Sequence, residues 1–152
     1  ATPKALFDVV NREFDFKLDA AASDTNTKCA TYLTETENAL NRCWHSALLL
    51  HGHDPEHQAV WLNPPYGREI GKWIEKAYRE SRKGCKVVVL TFCRSDTKWW
   101  NKWAMRAAEI RTIPGRITFE GAKAGAPAPS CLLVFDENRR VPKLLTQELP
   151  RK

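Results

Sequence analysis

The segment AVWLNPPYGREIGKWIEKAY, residues 59–78, changes its periodicity half-way along. Ala59, Val60, Trp61 and Leu62 form a continuous apolar run of strand length, which predicts a buried strand. From Arg68 the apolar residues fall at Ile70, Trp73, Ile74, Ala77 and Tyr78, the spacing of one buried helix face. Between them stands Asn63-Pro64-Pro65-Tyr66-Gly67, a rigid turn at the carboxyl end of a strand. In open α/β sheets that end is where ligands bind.

Working outward, Thr2-Pro3 predicts an N-cap followed by proline at the first helical position, with Leu6, Val9, Val10 and Phe14 on the buried face. Phe14, Phe16 and Leu18 then alternate as a strand that ends in Asp19 and a run of small residues. CATYLT (29–34) reads as a second short strand, and HSALLLHGHDPEHQ (45–58) begins apolar and ends as a polar loop. KVVVLTF (86–92) is a run typical of a strand covered on both faces. Residues 94–108 predict a helix capped by Ser95 or Asp96, and 109–114 a further strand. Residues 115–129 form a Gly- and Pro-rich loop with a short strand at Ile117–Phe119, and 130–136 is the last strong strand. The segment from Glu137 through Arg139, Arg140, Pro142, Pro150, Arg151 and Lys152 reads as a frayed or loosely packed end. Strands alternating with helices imply an α/β protein with a mostly parallel, doubly wound sheet. The closing strand arrives without a crossover helix, so the end of the sheet is expected to be antiparallel. One domain is expected over 1–152, with its core in 2–136 and its tail in 137–152.

Composition narrows the class. The chain is 43% hydrophobic and 28% charged, ordinary for a globular protein. No apolar run approaches the ~20 residues of a spanning helix, and no basic-then-apolar leader opens the chain, so no membrane partner is expected. Cys29, Cys43, Cys85, Cys93 and Cys131 are odd in number and widely spaced, as reduced thiols in a cytoplasm would be. The net charge of +6 favours a polyanionic partner. Cys43, His45, His51, His53 and His57 match no common structural zinc spacing, so they read as loop residues and no metal is expected. Trp99 and Trp103 stand four apart and read as a core-facing stripe, while Arg94 and Lys98 beside the third tryptophan are candidates for nucleic-acid contact. Arg116 can bind a phosphate or pair with Glu120.

The turn carries the chemistry. Asn63 offers a carbonyl acceptor, and Pro64 offers another with no N–H beside it. Together they can converge on one amino group and hold both of its hydrogens, which makes the nitrogen lone pair available for attack. The prolines keep the acceptors aimed, a form of preorganisation. Tyr66 supplies a face for a planar base taken out of a duplex. A proline-rich corner with Tyr66 as a rim aromatic uses the same residues, but a corner between a buried strand and an amphipathic helix favours a site.

Five segments extend the pattern: TPKALFDVVNREFDFKLDAAAS, NTKCATYLTETENAL, VWLNPPYG, AEIRTIPGRITFEG and APAPSCLLVF. In this order they resemble the small phage-type DNA adenine-N6 methyltransferases, often called Dam-like, and Asn63–Tyr66 resembles motif IV of amino-methyltransferases. The resemblance implies a Rossmann-like S-adenosylmethionine-dependent fold. It also implies methyl transfer to the N6 amino group of adenine in double-stranded DNA, with the base flipped out. It assigns Asn63, Pro64, Pro65 and Tyr66 to catalysis. It assigns the cofactor pocket to Thr2, Pro3 and Phe7, to Asp19, Ala20 and Ala21, and to the Asn38-Ala39-Leu40 turn, with Asp19 holding the ammonium of the methionine moiety. Asn38 stands where many relatives carry Asp, and the G-x-G loop of other nucleotide-binding sheets is missing. A phage or prophage enzyme in the bacterial cytoplasm follows from the same resemblance. The other readings are methylation of RNA or of a protein glutamine, and a non-catalytic DNA-binding phage accessory protein.

Overall fold

The computed structural model describes residues 2–23, 25–35, 38–139 and 141–150. Seven strands form one sheet: β1 (Phe16–Ala22), β2 (Thr31–Thr34), β3 (Ala59–Leu62), β4 (Lys86–Phe92), β5 (Glu109–Thr112), β6 (Ser130–Phe135) and β7 (Lys143–Thr146). Their order is β2-β1-β3-β4-β6-β5-β7. All neighbours pair in parallel except at β6, which runs antiparallel to both β4 and β5. The mostly parallel α/β sheet with an antiparallel strand near its end is therefore the architecture.

The helices are α1 (Lys4–Phe14), α2 (Trp44–Leu50), α3 (Ile70–Ser81) and α4 (Lys98–Lys102). Alternation along β4 separates two cores. Val87 and Val89 face the layer that holds Trp44 and Leu48 of α2, Ile74 of α3 and Trp100 of α4. Val88 and Leu90 face Leu6, Phe7 and Val10 of α1, together with Phe16 and Trp61. Each such side chain, once buried, stabilises the fold by ~1.5–3 kcal/mol. Gly71 lets α3 and α4 approach closely, since a Cβ there would lie 3.1 Å from Cβ of Trp99.

Local details differ from the expectation in several places. Thr2 does not cap α1: Pro3 occupies the cap without a side-chain bond. Phe14 belongs to the helix, because Asp15 adopts a left-handed φ of 53° and its N–H closes on the carbonyl of Asn11. The Asn11 side chain then accepts from Phe16 N, which starts the strand. The helix expected over 94–108 is a short α4 followed by a 3-10 turn at Ala104–Arg106. Thr97 caps it, since Asp96 is held by Arg94. Trp100 is the buried tryptophan, while Trp99 and Trp103 are half-buried. Ile117–Phe119 forms no strand; its loop folds on itself through Ala126 N–H to the carbonyl of Ile117.

The tail is docked rather than frayed. Lys143–Thr146 pairs with β5, and Gln147 is buried, accepting from Arg111. Arg111 also holds Glu13 of α1 and Glu109, so one guanidinium ties the first helix to the last strand. Arg140, Arg151 and Lys152 of that tail lie outside the described residues.

Candidate active site

β1 and β3 lie side by side at the centre of the parallel region, and the chain leaves β1 toward β2 before returning across it to β3. That reversal opens a crevice beyond the carboxyl ends of the two strands. Ala20–Ala22 end one wall, and Asn63 begins the other.

Two cavities are lined in part by the Asn63–Tyr66 turn. The first has a volume of about 520 Å³. Ala20, Ala21, Asn38, Ala39 and Leu40, all expected for a cofactor, line it. Pro65, Trp73, Glu35 and Glu69 also line it. The second, of about 180 Å³, is bounded by Asn63, Pro64, Tyr66, Leu90, Phe92 and Phe119. It is mostly apolar, with the Asn63 amide at its edge.

Four residues expected at the cofactor, Thr2, Pro3, Phe7 and Asp19, are not among those lining the larger cavity. Thr2 is buried and its hydroxyl accepts a 2.9 Å hydrogen bond from Nδ2 of Asn63. Pro3 stands at the start of α1. Phe7 packs in the α1 core, edge-on to Trp61 at 5.2 Å. Asp19 is 3% exposed, and its two oxygens accept from the backbone N–H groups of Ala21 and Lys28. Burial raises its pKa above the ordinary carboxylate value, and those two backbone bonds oppose the rise.

The Thr2 bond fixes the Asn63 amide. With Nδ2 donating to Thr2, Oδ1 is the atom left to accept from a substrate. Tyr66 is 48% exposed, with its ring edge-on to Phe92 at 4.7 Å. Its hydroxyl accepts from Nη1 of Arg94 at 3.2 Å, and Arg94 is gripped by both oxygens of Asp96. Arg94, expected to face nucleic acid, is thus brought to the tyrosine of the tetrapeptide. Lys98 is exposed at the first turn of α4. Arg116 is exposed beside Gly115, whose φ of +76° suits glycine. Glu120 approaches Lys28 at 3.8 Å.

The loop histidines go to separate partners: His53 to the hydroxyl of Thr31, and His57 to Asp54. Cys43 accepts from Ser46 at the start of α2. Sequence reasoning missed Glu35, Glu69, Trp73, Phe92 and Phe119. Phe92 follows an apolar strand, and Phe119 lies in a loop whose path no periodicity reveals.

A model of the family described as DNA N-6-adenine-methyltransferase (Dam) matches residues 1–147. The chain belongs to this family. It is 28% identical over 119 residues to the DNA N-6-adenine-methyltransferase of Escherichia phage T1, covering 78% of this chain and 45% of that protein. It is 26% identical over 144 residues to the DNA N-6-adenine-methyltransferase of Haemophilus phage HP1 (strain HP1c1), covering 90% of this chain and 77% of that relative. The chain therefore spans less than half the length of the T1 relative. No helix among the described residues is long and apolar enough to cross a membrane.

Proposed function

We propose that this Dam-family chain, acting as one domain, transfers a methyl group from S-adenosylmethionine to the N6 amino group of adenine in DNA. The observation that carries this reading is that the tetrapeptide contributes walls to two cavities. Pro65 lines the larger one, and Asn63, Pro64 and Tyr66 line the smaller one. A donor in one and an acceptor in the other would meet at Asn63-Pro64.

The larger cavity suits the donor chemically. The small side chains of Ala20–Ala22 leave the strand end open to a ligand, and Ala39, Leu40, Pro65 and Trp73 supply apolar wall. Glu35 and Glu69 supply carboxylates that suit hydroxyl or ammonium groups. When bound there, S-adenosylmethionine supplies a methyl group on a positively charged sulfur. Asp19 acts through the backbone: it holds the turn after β1 in place rather than pairing with an ammonium.

In the smaller cavity a flipped adenine would pack on Tyr66, with Phe92 and Phe119 as further walls. Oδ1 of Asn63 and the carbonyl of Pro64 would accept the two amino hydrogens and draw the nitrogen toward tetrahedral geometry. Thr2 holds the amide so that its carbonyl, not its NH₂, faces the substrate. The alkylated nitrogen is acidic and sheds its proton to water, so no strong base is needed. The natural setting is the cytoplasm of a phage-infected bacterium, in keeping with the phage origin of both relatives.

Labelled methyl transfer to DNA, RNA and protein in parallel, followed by nucleoside analysis, tests the reading. N6-methyladenine in DNA is the expected product. Label confined to RNA or to protein glutamine would overturn it.

A further inference from the structure

A groove of about 820 Å³ runs beside α3, on the face opposite α1. It adjoins the larger cavity, sharing Asn38, Leu40 and Glu69 with it. Lys72, Lys76, Arg79, Arg82, Lys83 and Arg106 line it, twice as many cations as carboxylates. Four of them are answered by glutamates: Lys72 by Glu69, Arg79 by Glu75, and Lys76 and Lys83 by Glu80. Arg82 and Arg106 donate to the backbone carbonyls of Glu137 and Lys102, which leave their charge in place.

The end of the groove away from the site has an aromatic wall. The guanidinium of Arg106 lies 5.3 Å from the ring centres of both Trp103 and Tyr78. Arg79 and Lys102 stand over Trp103 at 5.4 and 5.2 Å. Stacking on a ring holds a cation in place without neutralising it, and leaves the N–H groups at the edge of a guanidinium free to meet a phosphate. The axis from Glu69 to Lys83 spans about 20 Å at 1.5 Å per residue, long enough to follow several consecutive phosphates of one strand.

We propose that this groove takes the sugar-phosphate backbone of DNA flanking the target base, a contact surface separate from the tetrapeptide. The proposal rests on the DNA reading above. It adds that part of the grip lies along α3 and the Trp103 cluster, far from any base contact. Phosphate contacts of this kind orient the protein on the duplex and carry no sequence information.

Lys102→Glu/Arg106→Glu tests it by anisotropy titration of mixed-sequence duplexes of about 12 and 30 base pairs over a range of salt. Binding to the longer duplex should weaken about tenfold, and its salt slope should fall by about one for each phosphate no longer neutralised. Binding to the shorter duplex should weaken no more than binding to the longer one, while cofactor affinity and melting temperature should stay as in the wild type. Arg106→Lys, which keeps the charge, should retain most of the slope. Unchanged affinity and slope for the long duplex would overturn the proposal. So would an unchanged long duplex together with loss of binding to a polyglutamate peptide, which would assign the groove to an acidic protein. Because binding is read without methyl transfer, failure of the catalytic reading is distinguishable. A wild type that grips long DNA through the groove but makes no N6-methyladenine would sink only the chemistry.

Discussion

Asn63 and Glu80 are both polar side chains set against the same sheet, and they are satisfied in opposite ways. Glu80 is fully buried, and nothing of it is left over. One oxygen accepts from the backbone of Trp44 and His45, which starts α2; the other meets Lys76 and Lys83. Asn63 is half satisfied. Its NH₂ donates to Thr2, the residue lines a cavity, and its carbonyl oxygen is left to accept from a ligand. A buried polar group with every lone pair engaged rigidifies a fold, and one held on a single side is poised for a ligand. The difference separates scaffold from site more sharply than burial or charge does.

The largest expected effect tests the Asn63 half of that contrast. Asn63→Ala should keep the melting temperature within a few degrees and bind cofactor normally, yet lose ~10²–10³ in single-turnover methyl transfer, or about 2.7–4 kcal/mol. If the rate survives while the protein stays folded, the tetrapeptide is a corner and not a catalyst.

Glu80→Gln should do the reverse. The amide keeps an acceptor for α2 but leaves two ammonium groups without a counter-charge, at a cost of about 2 kcal/mol, or about 4–8 °C in melting temperature. The rate per folded molecule should not change. Burial alone would raise the Glu80 pKa, but the hydrogen bonds from Lys83 and Lys76 outweigh it and hold the group below its ordinary value. A carboxyl depressed in this way stabilises the fold above its unfolded pKa, and the contribution disappears as pH falls through the folded one. The gap between wild type and variant should therefore be full at neutral pH and close in acid. A gap independent of pH would mean that the charge of Glu80 does not matter.

Thr2→Val sharpens the comparison from the partner's side. The shape is kept and the acceptor for Nδ2 is lost, so the Asn63 amide is free to rotate its NH₂ toward the substrate. About a tenfold loss of rate is expected, near 1.4 kcal/mol. Affinity for S-adenosylmethionine should not change, because Thr2 touches Asn63 rather than the larger cavity. A raised dissociation constant with an unchanged rate would return Thr2 to the cofactor.

How far the sequence carried can be traced through these same residues. β3, β4 and β6 were legible because each is a run of side chains buried on both faces. β7 was not, since Leu144 is 72% exposed and the strand is joined to β5 through its backbone. In the 94–108 segment the i, i+4 spacing of Trp99 and Trp103 suggested the buried pair. The helix ends at Lys102, so Trp100 turns inward instead. The rigidity of Asn63-Pro64-Pro65-Tyr66 is local and could be read directly. The Thr2 bond joins residues far apart in the chain, and no local pattern encodes it. Asp19 could not be read unambiguously, because a carboxylate at a strand end suits a ligand and a turn equally well; its oxygens accept from the backbone of Ala21 and Lys28.

The smallest effect is expected at Tyr66, where the contrast between held and free is drawn within one side chain. Its ring is half exposed beside Phe92, and its hydroxyl is tied to Arg94 at 3.2 Å on the rim. If the ring face is what a base needs, Tyr66→Phe keeps the function and loses only a rim hydrogen bond. Such a bond is worth ~0.5–1.5 kcal/mol at most, and Arg94 keeps its grip on Asp96 without it. The methyl-transfer rate should change by less than about threefold, since stacking draws on the ring and not on the hydroxyl. Tyr66→Ala on the same samples should weaken engagement of the target base much further, by the ~1–3 kcal/mol typical of a missing stack. A rate for Tyr66→Phe as low as that for Tyr66→Ala would move the function of this residue from its face to its hydroxyl. Arg94 would then be a part of the site in its own right, holding Tyr66 at the angle that catalysis requires.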